Sequence, residues 1–228
     1  MNPHSTHRAF AISLRTLLIM ALCTWLLLPT RSDAQTAVER FFTEMPDNVL
    51  PVLPQKARAE LVLLARGGAE PVVENLFANP ARLTLRNDNY LRIAPTATSR
   101  FEVRMLPTDS APLFCVVYTL PHPIPYSRIS FYTADGREVQ GYFEMPDLRA
   151  FLTAPDSTAY LARKHWAERL VPFHVEAHFE EAEDILCIEV RTSRLSLEEL
   201  QGAEGAFRPV RLRWRGGKWE TADNSYTE

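Results

Sequence analysis

Arg211, Arg213 and Arg215 stand at alternate positions of one short segment, with Lys218 and Trp219 just beyond them. Cations interleaved with an aromatic ring suit a polyanion or a sugar surface. The same stripe on a strand also suits cross-strand pairing with carboxylates such as Glu176 and Glu189. His174 and His178 raise metal chemistry, since histidines at i and i+4 of a helix can share one ion. Their segment alternates as a strand does, which sets them about 13 Å apart. One zinc with Zn–N bonds of about 2.0–2.1 Å does not reach both. The acidic run Glu180, Glu181, Glu183 and Asp184 offers oxygen ligands for calcium, but it lacks the alternate spacing and central glycine of a calcium loop. It reads as a solvated turn. Cys115 and Cys187 fall at matching strand positions and read as covered, unpaired thiols. A catalytic cysteine needs a histidine beside it, and nothing in the sequence brings His122 or His165 to either thiol. There is no nucleophile elbow, phosphate loop, paired-cysteine metal signature or dinucleotide fingerprint. This reading assigns no catalytic residue, no metal ligand and no cofactor. Arg211, Arg213, Arg215 and Trp219 are its binding candidates.

Those residues need strands to hold them. Phe173, Val175, Ala177 and Phe179 alternate with His174, Glu176 and His178. Leu186, Ile188 and Val190 alternate with Cys187, Glu189 and Arg191, and Val210, Leu212 and Trp214 alternate with the three arginines. Period-2 patterning of this kind predicts antiparallel strands with one buried and one wet face. Shifting the chain by 72 residues sets Phe101-Glu102-Val103 on Phe173-His174-Val175, and Leu113-Phe114-Cys115-Val116 on Ile185-Leu186-Cys187-Ile188. After an insertion in the second copy, Gly136 falls opposite Gly217 in two expected hairpin turns. Helices are expected ahead of each strand set. Val38, Phe41, Phe42 and Met45 make one stripe ended by Pro46, and Ala57, Leu61 and Leu64 make a second ended by Gly67-Gly68. Pro146 opens a short helix to Leu152, and Ser157 caps another running to Leu170. The first half adds a hairpin over residues 82–93. The fold class expected is α+β, a tandem repeat of a helix pair packed on an antiparallel sheet of about four strands. Its modules would be residues 35–143 and 144–228, an arrangement that resembles the tandem domains of β-lactamase inhibitor proteins in architecture alone.

The first 34 residues read as a signal peptide. Arg8 and Arg15 precede Thr16–Leu28, an apolar run of 13 residues. A membrane span needs about 20 residues, so the run has the length of a signal-peptide core. Ser32 and Ala34 supply the small residues of a cleavage site. Removing this segment takes away Arg8, Arg15, Arg31 and Asp33 and moves the net charge from −3 to −5. That balance argues against a nucleic-acid partner, which needs a basic footprint. No later segment is apolar enough to span a membrane.

Phe42 with Met45-Pro46-Asp47, then Leu50-Pro51 and Leu53, form one group of short motifs. Asp88 with Tyr90-Leu91, Met105-Leu106-Pro107 and Phe131-Tyr132 form another. Together with a leader ending Ala-Gln, these resemble an uncharacterised family of secreted proteins from Bacteroides and its relatives, domain of unknown function 3256. The resemblance runs over about residues 38–135. It implies an exported protein and brings no activity, catalytic residue or cofactor. The expected function is therefore unassigned at the level of chemistry: a secreted or periplasmic, non-enzymatic protein that binds a protein or cell-envelope partner. The alternative is an exported hydrolase whose site is assembled from distant residues, with His122 in its proline-rich connection as the first residue to mutate. Partner identity and oligomeric state are not readable from the sequence. Terminal sequencing of the exported protein is expected to begin at Gln35; a chain that retains Met1 or begins at Cys23 would overturn the leader reading.

Overall fold

The computed structural model describes residues 35–121, 124–153, 168, 170, 173–192, 195–202 and 205–222. The expected leader, His122, His165 and most of the helix expected over residues 157–170 lie outside them. Helix α1 (Ala37–Glu44) starts at a capping box, in which Glu39 N donates to Thr36 Oγ1 at 3.3 Å and Thr36 N donates to Glu39 Oε2 at 2.8 Å. Two of the helix's orphan donors are thereby satisfied. Val38, Phe41 and Phe42 form its buried stripe, and Pro46, which cannot donate, follows its end. Helix α2 (Gln55–Arg66) buries Leu61 and Val62 and stops at Gly67.

Arg58 of α2 is fully buried and ties the two helices together. Its Nε donates to Phe42 O at 2.8 Å, its Nη1 to Leu53 O at 2.9 Å and Asp47 Oδ1 at 2.8 Å, and its Nη2 to Met45 O. The carbonyls at the end of α1 have no intrahelical partner, and one guanidinium fork satisfies them. Burial lowers the Arg58 pKa, and the Asp47 carboxylate opposes that shift.

Beneath the helices runs a seven-stranded antiparallel meander: β1 (Val72–Glu74), β2 (Pro80–Arg86), β3 (Tyr90–Ala94), β4 (Arg100–Leu106), β5 (Leu113–Leu120), β6 (Tyr126–Tyr132) and β7 (Glu138–Val139). Strands β8 (His174–Phe179), β9 (Ile185–Arg191), β10 (Val210–Arg215) and β11 (Lys218–Thr221) form a second antiparallel sheet in the order β11-β10-β9-β8. A 3-10 turn at Leu148–Phe151 and helix α3 (Leu197–Gly202) occupy the connections. Val38, Phe41 and Leu61 share a core with Phe101, Val103, Phe114 and Val116 on the helix side of the first sheet. Cys115, Val117 and Phe131 on its other side share a second core with Ala177, Phe179, Ile188 and Leu212. Each buried Phe or Leu contributes roughly 1.5–3 kcal/mol, so both faces of the central strands are apolar contacts of comparable weight.

This overturns the expected tandem repeat of a helix pair on a four-stranded sheet. The chain is mostly β, with seven strands in one sheet, four in the other and three α-helices among the described residues. The second sheet takes the place of solvent on the back of the first. The segments matched by the 72-residue shift face different layers: Phe114 and Val116 meet helices, whereas Leu186 and Ile188 meet the first sheet.

The seam between the sheets is polar as well as apolar. Glu102 and Arg104, which alternation assigns to a wet face, are buried. Glu102 Oε2 accepts from Phe179 N at 2.8 Å, and its Oε1 lies 2.7 Å from Arg100 Nε. Ala177 N donates to Ser127 Oγ at 2.8 Å, so two amides of edge strand β8 end on side chains of the first sheet. Arg104 donates to the carbonyls of Glu180 (2.7 Å), Glu181 (3.2 Å) and Glu183, and its guanidinium lies 4.5 Å from the Tyr90 ring centroid and 5.1 Å from that of Phe179.

Glu102→Ala strands the Phe179 amide and removes the partner of Arg100. It is expected to lower unfolding stability by about 3–5 kcal/mol, with Glu102→Gln costing less because its amide oxygen still accepts. Urea denaturation measures both; a loss under about 1 kcal/mol for Glu102→Ala would refute a seam that depends on this carboxylate.

Candidate functional site

The helices leave part of the first sheet uncovered where β5 and β6 run on toward residues 120 and 126. There a cleft of about 390 Å³ opens between the sheet and the Pro46–Pro51 segment, within the range of small-ligand pockets. Its floor is set by strand alternation. Val116, Tyr118 and Leu120 of β5 face Ser130, Arg128 and Tyr126 of β6, each directly across the ladder, and Tyr132 completes the row. Pro46, Asn48, Val49 and Pro51 make one wall, and Gly136 and Glu138 the other.

Packing beneath holds the rings. Tyr118 meets Phe101 edge-on, with centroids 5.6 Å apart, and Tyr132 lies 5.9 Å from Phe41, itself stacked on Phe114 at 4.3 Å. Tyr126 is the open end of the row, 38% exposed. Arg128 Nε donates to Ser130 Oγ at 3.2 Å, and its Nη2 lies 3.2 Å from Glu138 Oε1. Burial raises the pKa of both Tyr118 and Tyr132, so both remain neutral phenols that donate and accept hydrogen bonds at neutral pH. The site can therefore stack on a flat apolar ligand face and bond its polar edge.

The candidates read from sequence lie elsewhere and do not converge. Arg211, Arg213 and Arg215 share the outer face of the second sheet. Arg211 grips Glu180 with two bonds, 2.6 and 2.8 Å, and Arg213 Nη2 lies 2.6 Å from Glu183. The stripe thus pairs with the acidic turn rather than with Glu176 and Glu189 as expected. The hydrogen bonds from Arg211 hold the Glu180 pKa below the ordinary carboxylate value. Glu181 pairs with Arg92 and Asp184 with Arg104, so arginines occupy the carboxylates once considered for calcium. Arg215 is exposed near the hairpin tip. Trp219 sits directly opposite Trp214 in the ladder, with ring centroids 5.1 Å apart, on the face toward the first sheet.

His174 and His178 lie on the outer face of β8, and His178 stands across the ladder from Cys187. Both cysteines are free and buried, Cys115 between the sheets and Cys187 on the outer face. Burial first, and then Glu189, push the Cys187 thiol up to about 11. Sequence reasoning missed the cleft. Its signal was the period-2 row Tyr126, Arg128, Ser130, Tyr132, whose apolar counterpart Ile129 and Phe131 shows that both strand faces are used.

A family described as "Protein of unknown function (DUF3256)" matches residues 30–219, a span that crosses both sheets. The structure of a domain of an uncharacterized protein from Porphyromonas gingivalis W83 is similar, at 28% sequence identity and a TM-score of 0.66, covering 82% of this chain and 100% of that one. No curated protein matches this chain. Among the described residues no helix is long and apolar enough to cross a membrane.

Gly136 joins the cleft wall to the Arg58 bracket. Its φ is +78°, and an added Cβ would stand 2.7 Å from Pro46 Cδ. Gly68 has φ +73° with open space around it. Gly68→Ala is expected to cost about 1 kcal/mol for the backbone alone, and Gly136→Ala about 1–3 kcal/mol more for the clash. Equal urea midpoints for the two variants would rule out the contact.

Proposed function

The chain belongs to the DUF3256 family, whose description carries no activity, and we propose that it is an exported, non-enzymatic binding protein holding an uncharged, ring-bearing ligand in the tyrosine-lined cleft. One observation carries this reading: Tyr118, Tyr126 and Tyr132 line one cleft whose two charged residues, Arg128 and Glu138, neutralise each other. An anion or cation entering there would have to break that pair. A ligand with an apolar face and hydroxyl edges stacks on the rings and bonds the phenols and Asn48. A neutral oligosaccharide segment of the cell envelope has that chemistry. The leader over residues 1–34 supports a periplasmic or extracellular address, where such a ligand is met. The arginine stripe is the weaker contact surface, because Arg211 and Arg213 already hold carboxylates.

Neutral envelope oligosaccharides are expected to bind the purified protein by calorimetry, with affinity reduced at least about tenfold in Tyr126→Ala, in line with base or sugar stacking of about 1–3 kcal/mol per ring. Tyr126 is exposed enough for its removal to spare the fold. Binding that is unchanged in Tyr126→Ala but lost in Arg213→Ala would move the site to the second sheet; no binding by any neutral oligosaccharide would reject the ligand class.

A further inference from the structure

We propose that the outer face of the second sheet carries a transition-metal site built by His178, Cys187 and Glu189, with zinc as its fitting ion. His178 of β8 lies directly across the ladder from Cys187 of β9, and Glu189 follows Cys187 by two residues on the same face. The imidazole nitrogen, the Sγ and a carboxylate oxygen all lie within 4.8 Å of one another. Donor atoms round a single zinc, with bonds of about 2.0–2.3 Å, stand roughly 3.3–3.6 Å apart. Facing strand positions already place Cβ atoms about 4.5–5.5 Å apart, so side-chain rotation closes the remaining gap without backbone movement.

The donor set is selective. Thiolate, imidazole and carboxylate together suit zinc, whereas calcium and magnesium want oxygen alone. Three protein ligands leave the fourth tetrahedral position for water or an incoming group. The neighbours on this face are spoken for: Glu176 pairs with Arg100 and Arg191, and Glu180 with Arg211. None of the three proposed ligands has a hydrogen-bond or ion-pair partner among the described residues. Arg211 stands beside Cys187 in the ladder, but its bidentate bond to Glu180 offsets the charge it would set against a cation. On binding, the Cys187 S–H bond breaks, an S–Zn bond forms and the proton leaves to solvent, with no change of oxidation state. His174, four residues from His178 along the strand, takes no part. This site lies on a different sheet from the tyrosine-lined cleft and stands or falls without it.

Cobalt(II) added to the reduced, purified protein is the probe. One equivalent is expected to produce a thiolate-to-cobalt charge-transfer band with the intense visible transitions of tetrahedral coordination, and one equivalent of zinc should bleach both. Cys187→Ser should abolish the charge-transfer band, and His178→Ala and Glu189→Gln should each weaken binding at least about tenfold, while Cys115→Ser binds as the unaltered protein does. Circular dichroism reports whether each variant folds; if Cys187→Ser does not, His178→Ala and Glu189→Gln decide, since both side chains reach solvent. No band at equimolar cobalt, a band that survives in folded Cys187→Ser, or wild-type affinity in both other variants would overturn the site.

Discussion

The buried carboxylate of Glu102 and guanidinium of Arg104 make the two-sheet arrangement possible. A strand at the edge of a sheet presents unpaired amides and carbonyls, and β8 is such an edge. It abuts the first sheet without adding a strand to it. Its amides at Ala177 and Phe179 find Ser127 and Glu102, and the carbonyls of the following turn find Arg104. Tyr90 and Phe179 flank that guanidinium, so the charge is both hydrogen-bonded and faced by ring electrons. Apolar burial supplies the bulk attraction between the sheets. The polar pair supplies position, because only one placement of β8 satisfies every group at once.

The same pair explains where sequence reading stops. Helices α1 and α2, the hairpin of β2 and β3, and the strands of the second sheet follow from patterns whose periods differ, 3.6 against 2. The Phe101-Glu102-Val103-Arg104 alternation is equally regular, but period alone does not tell a solvated polar face from a buried polar seam. Reading Glu102 and Arg104 as wet made the first sheet one-sided and left the second free to be a copy of it. The tyrosine row was hidden for the complementary reason. Tyr126 to Tyr132 is polar on one face and apolar on the other, which fits a one-sided strand, and only the second sheet on its back turns the tyrosine face into a cleft floor. The arginine stripe was legible as a stripe, but its partners Glu180 and Glu183 lie in a turn whose path no strand pattern specifies.

The motif that carries the family resemblance has a structural meaning. Phe42, Met45 and Leu53 give their carbonyls to the Arg58 guanidinium, and Asp47 gives its carboxylate. Pro46 ends α1, then lies against Gly136 and forms one wall of the cleft. A short run of residues thus fixes a helix end, a charged side chain and the rim of a pocket. Such a run recurs in relatives because the geometry needs it, and its presence says nothing about a reaction.

Strands β5 and β6 therefore serve two surfaces with alternate residues. Tyr118, Arg128, Ser130 and Tyr132 point into the cleft, while Cys115, Val117, Ser127 and Phe131 point toward the second sheet. No side chain of this stretch is spare. A close-packed layer on the back holds the strand twist and ring positions on the front, since packed interiors transmit small displacements rather than absorb them. The second sheet acts on the cleft without touching it: by fixing β6 through Ser127 and Phe131, it sets the spacing of the tyrosines that a ligand would meet. A stable seam and an ordered binding face are, in this fold, two sides of the same strands.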